Sequence, residues 1–406
     1  MRKTSILIFL AMILSLVAGC GRSDLNPSDP GYNRYHSTVS VWYVDDCSKC
    51  WDHLEDLIKE YNTENGKANA VKVRASAYSS DRDLVDALLT EEQVPSIVIC
   101  SGDTAAYLHS IGVSTATDQC FQDWQISRFD SSYLNAGVID NVLVSVPVAA
   151  SPDILILNNS LVQNCPSYYQ ESVTSLESLC QMASTYLQET DQPFLTSESY
   201  TTMIRTGMAQ LGDTFHADRA VDIQSNNFKY VYNVLAQVAF NRGLSASEED
   251  VTELVMDGKI ACGVVSAQSF MKHVDESKLS NISIFPYPTV QNGQSLYHLH
   301  FNSALVTASD ETEQSAAADF LSWLAAHSDR LTENTGYFPV MAVSEGETHA
   351  SRISGDSAAY RAIANAFADQ ERNGSAYNSK NAAEYYENSA AFEADLRNRL
   401  KHLNDS

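Results

Sequence analysis

The segment Thr38-Val-Ser-Val-Trp-Tyr-Val44 alternates with the period of two that is typical of a β-strand. It opens a regular series in which extended and helical patterns follow one another along the chain. The series consists of predicted strands at 38–44, 71–77 and 95–100 and predicted helices at 51–61, 83–89 and 104–111. Alternation of this kind is typical of a parallel sheet covered by helices, with ligand sites outside the carboxyl ends of the strands.

The alternation continues downstream and then gives way to a mostly helical end. The predicted strands there are 142–148, 154–157, 260–265 and 282–285, and the predicted helices are 175–189 and 230–240. The mostly helical part comprises 316–327 and then 357–403. A chain of 406 residues is longer than a single hydrophobic core usually supports. We therefore expect two lobes.

The first twenty residues resemble a bacterial lipoprotein signal. Met1-Arg-Lys precedes an apolar run over 6–17, which is too short for a membrane-spanning helix, and Leu16-Val-Ala-Gly-Cys20 follows it. An ordinary signal peptide that contains a cysteine is the alternative. In lipoproteins this cysteine is diacylated and becomes the new N-terminus, so we expect Cys20 to anchor the protein outside the cytoplasm and 21–37 to be a flexible tether.

The charge balance excludes some classes of partner. Asp and Glu number 51 against 26 Lys and Arg, which gives a formal net charge of −25. Such a chain is not expected to bind nucleic acid or an anionic lipid surface by charge. We expect membrane contact through the lipid anchor only.

Several segments in order resemble the extracellular solute-binding proteins of family 1, the lipoprotein receptors of carbohydrate importers of the ATP-binding-cassette (ABC) type. Ser96 and Leu157 replace the Asp and Tyr that are usual in that family. The similar segments are Val39-Ser-Val-Trp42, 84–99, Val146-Pro-Val-Ala-Ala-Ser151 with 155–158, Met256-Asp-Gly-Lys-Ile-Ala-Cys-Gly263, 316–324 and Asn334-Thr-Gly-Tyr-Phe-Pro-Val340.

The resemblance implies a two-lobed fold of the periplasmic-binding-protein type II class. Each lobe would hold a mixed or parallel sheet flanked by helices, and hinge crossings would let the lobes close on a ligand. The expected lobes are 38–146 with 301–345 and 147–300 with 346–406. The resemblance also implies a monomer that binds a carbohydrate and delivers it to the permease subunits of an ABC importer. No cofactor or catalytic residue is expected.

Sugar sites combine aromatic platforms with carboxylates, amides and hydroxyls. Residues of these types follow the predicted strands of the first lobe, and others fall in the second lobe and a late turn where the family tends to place contacts. Any of the aromatic residues could pack in a core instead. The candidates are Trp42, Tyr43, Asp45, Asp46, Tyr78, Ser101, Asp103, Tyr200, Gln268, His300, Tyr337 and Phe338.

Two histidines share one face of an extended segment. His298 and His300 flank Leu299, which is a spacing that a zinc site can use. Because the sequence shows no carboxylate or cysteine pattern nearby, we interpret both as hydrogen-bonding histidines and expect no metal site.

The cysteines leave a rival hypothesis open. Seven remain besides Cys20, so they cannot all pair within one molecule. Cys47-Ser-Lys-Cys50 follows a strand and opens a helix, as in a thioredoxin-like redox site, where a helix N-terminus lowers a thiol pKa. The preferred interpretation is a local disulfide between Cys47 and Cys50, or two thiols beside the cleft. A thiol-disulfide oxidoreductase, or a solute receptor that feeds a sensor, is the alternative function.

Overall fold

A computed structural model of the chain describes residues 37–46, 48–90, 93–114, 116–139, 141–163, 165, 173–213, 221–377 and 383–405. The predicted signal, Cys20, nearly all of the predicted tether and Cys47 lie outside the described residues. Among the described helices, none has the length and apolarity that crossing a lipid bilayer requires.

Eleven strands are present in the described part of the chain. They are β1 (Ser37–Val44), β2 (Val71–Tyr78), β3 (Ile97–Ser101), β4 (Val138–Ile139), β5 (Val142–Leu143), β6 (Val146–Asn158), β7 (Leu195–Ser197), β8 (Cys262–Ser266), β9 (Ile282–Pro286), β10 (Leu296–Val306) and β11 (Ser375–Tyr377).

The α-helices of the first half of the sequence are α1 (Lys49–Thr63), α2 (Asn65–Asn69), α3 (Asp81–Thr90), α4 (Gly102–Ser110), α5 (Asp123–Ile126), α6 (Ser131–Leu134), α7 (Asn159–Val162) and α8 (Leu176–Thr190). Those of the second half are α9 (Tyr200–Gln210), α10 (Asn226–Phe240), α11 (Val251–Met256), α12 (Ala267–His273), α13 (Glu311–Ala326), α14 (Ser328–Leu331), α15 (Ala358–Asn373) and α16 (Ala383–Asp405). Short 3₁₀ turns occupy Thr117–Cys120, Asn135–Gly137, Glu276–Asn281 and His349–Arg352.

Nine strands form one mixed sheet in the order β2-β1-β3-β10-β6-β8-β7, with β11 beside β10 and β9 beside β6. The pairs β1–β2, β1–β3 and β7–β8 are parallel, whereas β10 and β6 run antiparallel to their main neighbours. We call the side with β1, β2 and β3 the first lobe and the side with β7, β8 and β9 the second lobe. The predicted α/β class with a mixed sheet flanked by helices is confirmed.

Strands β6 and β10 connect the two lobes. Residues 146–152 of β6 pair with β10, and residues 153–158 pair with β8 and β9. All thirteen residues of β6 are buried. The sequence predicted two separate strands here, and that prediction is wrong: Pro152, which has no N–H to donate, lies inside one continuous strand where its partner changes.

Both faces of the first-lobe sheet are covered. Val39, Val41 and Tyr43 of β1 point into the largest apolar cluster, where α1 and α13 pack. Trp42 points to the opposite face, into a smaller cluster under α3 and α4. Successive side chains of a strand point to opposite faces of the sheet. Because helices cover both faces here, consecutive residues of β1 are buried.

The C-terminal helix α16 contacts both lobes. It packs against α9 and α10 in the second lobe and against α4 in the first. Its Glu393 carboxylate accepts hydrogen bonds from the backbone N–H groups of Tyr200 (3.1 Å) and Thr201 (2.8 Å), at the N-terminus of α9. A negative charge at this position is favourable because a helix N-terminus is partly positive. Arg397 pairs with Glu393 at 2.8 Å.

We expect Glu393→Ala to lower the free energy of unfolding by about 2–4 kcal/mol, because it removes a half-buried charge that four polar groups and Arg397 share. The matched control is Asp395→Ala. Asp395 forms an ion pair with Arg399 on the same helix, but this pair is well exposed, so its loss should change the free energy of unfolding by less than about 0.5 kcal/mol. Urea denaturation measures both. Equal effects would contradict the docking of α16 through Glu393.

Candidate functional site

The carboxyl ends of strands from both lobes meet at one place. Asp46 follows β1 in the first lobe, and Gln268 begins the helix that follows β8 in the second. The Gln268 side-chain amide donates to Asp46 Oδ2 at 2.8 Å, and Lys272 Nζ donates to the Asp46 carbonyl at 3.0 Å. The ends of these strands therefore meet where the two lobes contact each other, at the cleft between them.

Asp46 is the centre of a hydrogen-bond network. Besides Gln268, its carboxylate accepts from the Tyr337 hydroxyl (2.7 Å), the Trp51 indole N–H (2.8 Å) and the Ser48 backbone N–H (3.0 Å). Burial, with the charge of Asp46, raises the pKa of Tyr337 well above its ordinary value. The hydroxyl thus stays protonated and donates. This network holds the late turn and the second lobe against the end of β1.

The late turn approaches the second lobe very closely. Gly336 has φ of +80°, and a Cβ atom there would lie 2.2 Å from the Ala267 carbonyl oxygen. Only glycine permits both this backbone conformation and this approach. The turn in this way places Tyr337 beside Asp46.

A cavity of about 140 Å³ lies between β6, β8, β10 and the start of α9. The atoms that face the cavity are mostly apolar, although its lining side chains include hydroxyls and carboxylates. The lining residues are Asp153, Ser197, Glu198, Ser199, Thr202, Met203, Val264, Tyr287 and His300. The Glu198 carboxylate is held in place by the Ser266 backbone N–H, which donates to it at 2.7 Å.

Asp153 lies beside both histidines of β10. His300 Nε2 is 2.8 Å from Asp153 Oδ1, and His298 Nδ1 is 3.2 Å from Oδ2. Only 4% of Asp153 is exposed. Its burial would raise the pKa of this carboxyl, but the His300 charge and the two histidine hydrogen bonds hold it well below its ordinary value. The sequence did not predict this carboxylate beside the histidines.

The pKa values of the two histidines shift in opposite directions in this environment. Burial would lower the pKa of His300, but the charge and hydrogen bond of Asp153 outweigh it and raise that pKa to about 9. Burial and the neighbouring His300 charge lower the pKa of His298. At neutral pH, the three groups therefore hold one carboxylate, one imidazolium and one neutral imidazole.

Asp103 extends the charged surface into the first lobe. It lies in the first turn of α4, and one of its carboxylate oxygens, Oδ1, is buried without a hydrogen-bond partner among the described residues. Burial raises the pKa of Asp103, and the charge of Arg205 from α9 opposes this rise. The charges of the two lobes thus influence each other across the cleft.

The predicted site residues separate into two groups. The structure brings Asp46, Gln268 and Tyr337 together, and it places His300 in the cavity wall. Ser101 caps α4 next to Asp103, accepting from the Thr104 backbone N–H at 3.3 Å. The other predicted residues mostly pack elsewhere.

Four of those other residues are core residues. Trp42 and Phe338 lie in apolar clusters. Tyr43 stacks on Trp51 with ring centroids 5.0 Å apart, and burial, followed by the charge of Glu55, raises its pKa to about 12. Tyr200 is fully buried, and its hydroxyl donates to the Ser245 carbonyl at 2.5 Å. Ligand contact by these four stays a prediction.

Asp45 and Tyr78 lie together at the ends of β1 and β2. The Asp45 backbone N–H donates to the Tyr78 carbonyl at 2.8 Å, and the Tyr78 ring contacts Trp42 with centroids 5.0 Å apart. The sequence did not predict Asp153, Glu198 or Thr202 as site residues. A carboxylate inside the apolar run 146–158 was the one available signal for Asp153, since a buried charge requires a partner.

A larger cavity of about 400 Å³ lies beside β9 and the start of β10, lined partly by Phe285, Tyr287, Tyr297 and Gln370. It is not formed by the carboxyl ends of β1, β3, β7 and β8, where open α/β sheets place their ligands. The smaller cavity includes Ser197 at the carboxyl end of β7 and holds more of the charged groups. We therefore identify the smaller cavity and its surroundings as the candidate site.

Cys50 is a fully buried thiol next to this region. Burial, and then the Asp46 charge, raise its pKa well above the ordinary value, which disfavours the thiolate. Cys47 lies outside the described residues. The disulfide between Cys47 and Cys50 therefore stays a prediction.

We expect Gly336→Ala to lower the free energy of unfolding by more than about 2 kcal/mol, because a positive φ and a collision with Ala267 act together. Gly346→Ala is the matched control: its φ is +84°, and a Cβ atom there would meet nothing within 4 Å. It should cost about 1 kcal/mol. Thermal and urea unfolding of the two variants measure the difference, and similar losses would show that the turn is not closely packed.

Comparison with known proteins supports the fold. A family model described as bacterial extracellular solute-binding protein matches residues 56–363. No match was found among curated protein sequences. Among solved structures, the chain is similar to the cyclic alpha-maltosyl-1,6-maltose binding protein from Arthrobacter globiformis, with 20% identity over 91% of this chain and 95% of that chain and a TM-score of 0.73.

Two further structures are similar over nearly their whole length. Maltose-bound MalE3 from T. maritima is 13% identical, with 91% of this chain and 96% of that chain covered and a TM-score of 0.67. An ABC substrate-binding protein from Listeria monocytogenes in complex with cycloalternan is 12% identical, with 91% and 95% covered and a TM-score of 0.69. The predicted two-lobed fold is confirmed. Since the family model covers most of the sequence, the chain belongs to the bacterial extracellular solute-binding protein family, which acts outside the cytoplasm.

Proposed function

We propose that this protein binds a carbohydrate, an oligosaccharide rather than a monosaccharide, and delivers it to the permease subunits of an ABC importer. The observation that carries the proposal is the cleft wall, where Ser197, Glu198, Ser199 and Thr202 of the second lobe line one cavity with His300. Hydroxyls and carboxylates among the lining side chains, beside a mostly apolar exposed surface, suit a sugar, which presents hydroxyl groups together with weakly polar ring faces.

The similar structures support the choice of ligand. By their descriptions, the three named proteins hold or bind cyclic alpha-maltosyl-1,6-maltose, maltose and cycloalternan. We extend this ligand class to the present chain. The protein acts by binding alone, without a covalent step, as a monomer.

An oligosaccharide requires the cleft to open. The cavity of about 140 Å³ is smaller than the roughly 300–1,000 Å³ of typical small-molecule pockets. Rotation about the crossing strands would separate Asp46 from Gln268 and admit the ligand, and closure would trap it. In this proposal, the lobes divide as 38–146 with 301–345 and 147–300 with 346–406.

The lipoprotein signal supplies the location within the proposal. Diacylated Cys20 holds the protein at the outer surface of the cytoplasmic membrane, and the tether up to residue 37 lets the body reach the permease. The permease recognises the closed conformation, because closure brings surfaces of both lobes next to each other.

We expect isothermal titration of the purified protein with maltose, longer maltodextrins and cyclic glucose oligosaccharides to show one saturable site. Saturating ligand at about 100 times Kd should stabilise the protein by about 2.7 kcal/mol. Glu198→Gln, which keeps the side-chain shape but removes the charge, should weaken the binding about tenfold or more.

The control for this titration is Glu249→Gln, which alters an exposed carboxylate paired with Lys259 at 3.5 Å and should bind the sugar normally. Absence of binding by every sugar would refute the proposal. A large effect of Cys47→Ser on a disulfide-exchange assay, with no sugar binding, would favour the redox alternative.

Loss of the Asp46 network should shift the protein toward an open form. The double variant Gln268→Ala/Tyr337→Phe removes two of the hydrogen bonds that the Asp46 carboxylate accepts. We expect a larger radius of gyration by small-angle X-ray scattering without ligand, and a sugar affinity lower by up to about tenfold because closure then costs more. Lys278→Ala, which removes an exposed ion pair with Asp257, is the control. An unchanged radius would contradict the role of this network.

A further inference from the structure

Asp153, His298 and His300 bring three metal-binding groups together on the strands that cross between the lobes. We propose that they form a binding site for a divalent transition-metal ion, with zinc as the best fit. The site shares His300 and the 140 Å³ cavity with the proposed sugar site, but the inference rests on the geometry of the three side chains and not on the identity of the sugar.

The strand geometry places the donors. His298 and His300 are two residues apart on β10, so both rings lie on one face of the sheet. β6 runs antiparallel to β10, with Pro152 paired to Leu299, which puts Asp153 next to His298. The crossing strands therefore fix all three side chains on rigid backbone rather than on a loop.

The distances fit a small ion. One nitrogen of each histidine and one carboxylate oxygen all lie within 4.8 Å of one another. Zinc binds nitrogen and oxygen ligands at about 2.0–2.2 Å, so tetrahedral ligand atoms lie about 3.4 Å apart. His300 Nε2 is 2.8 Å from Asp153 Oδ1 and His298 Nδ1 is 3.2 Å from Asp153 Oδ2, so side-chain rotations would have to bring both nitrogens and one of these oxygens to this spacing.

The donor chemistry selects the type of ion. Two imidazoles and one carboxylate suit zinc and its neighbours, whereas calcium and magnesium prefer oxygen ligands alone. The carboxylate is almost completely shielded from water, and 15% of the His298 side chain is exposed. A histidine binds zinc as a neutral imidazole, so zinc would displace the proton that His300 carries beside Asp153, and the buried carboxylate would then compensate the charge of the ion instead.

The cavity offers room for further ligands. Asp153 and His300 both form part of the wall of the 140 Å³ cavity, and 40% of the His300 side chain is exposed. Three protein ligands with an open side are the usual arrangement where a zinc ion also binds water or a small ligand. The fourth position would therefore face the cleft, on the side of Glu198 and Thr202.

The test is a zinc titration of the full chain after treatment with a chelator. We expect one ion per protein by calorimetry and by elemental analysis. His298→Ala and His300→Ala should each weaken binding by about 100-fold or more, because each removes a direct ligand. His402→Ala, which alters an exposed histidine on α16, should leave the affinity unchanged.

Cobalt used as a probe identifies the ligands in the wild-type protein. A tetrahedral cobalt spectrum without a thiolate charge-transfer band supports the site, whereas such a band would assign the ion to cysteines and overturn it. Zinc should also protect His298 and His300 from diethyl pyrocarbonate, mapped by mass spectrometry, which needs no variant to fold. Absence of zinc binding, or equal binding by the histidine variants, would overturn the proposal. Sugar titrations in chelator report the proposed function separately.

Discussion

The antiparallel pairing of β6 with β10 is the constraint on which the rest of this structure depends. Both strands belong to both lobes, and β6 is buried along its whole length. A buried strand must have its backbone groups paired, so β6 takes β10 as its partner at one end and β8 with β9 at the other. The change of partner at Pro152 and Asp153 marks the junction of the lobes.

The same pairing explains why charge is buried at the centre of the molecule. An isolated carboxylate would be very costly in this environment. Asp153 is tolerated because β10 presents two imidazoles to it at hydrogen-bond distance. Asp46 and Glu393 follow the same rule, since each carboxylate is surrounded by several donors from distant parts of the chain. The polar groups of the cleft are thus held in place by the residues that compensate their charge.

Local periodicity in the sequence was sufficient to predict most strands and helices at the start of the first lobe. The predicted strands and helices between 38 and 111 agree with β1 to β3 and with α1, α3 and α4 within a few residues. It failed at β6, whose apolar run is interrupted by Ser151-Pro-Asp153, and at α9, whose sequence Tyr200-Thr-Thr-Met-Ile-Arg205 has no clear polar face because nearly every residue is buried. In both cases, burial by the other elements decided the structure, and no local window contains that information.

The site could be predicted only in part for a similar reason. The rule that ligands lie beyond the carboxyl ends of strands led to Asp46, Ser101 and Asp103, which the structure places at the ends of β1 and β3, and their contact with a ligand stays a prediction. It could not distinguish Trp42 and Tyr43 as core residues, because that depends on helices covering both faces of the sheet. Asp153 lies 145 residues from His298 in sequence, so only the register of β6 with β10 brings them together.

The position of α16 has a consequence for how the chain reaches its native state. This last helix packs on α4, which is formed almost 300 residues earlier, and on α9 and α10. Contacts of such long sequence separation form late and slowly. During synthesis, the lobes cannot complete their packing until residues 383–405 have been made. A protein that must cross a membrane before folding gains from this order, because the emerging chain stays incompletely packed while it is still being transferred.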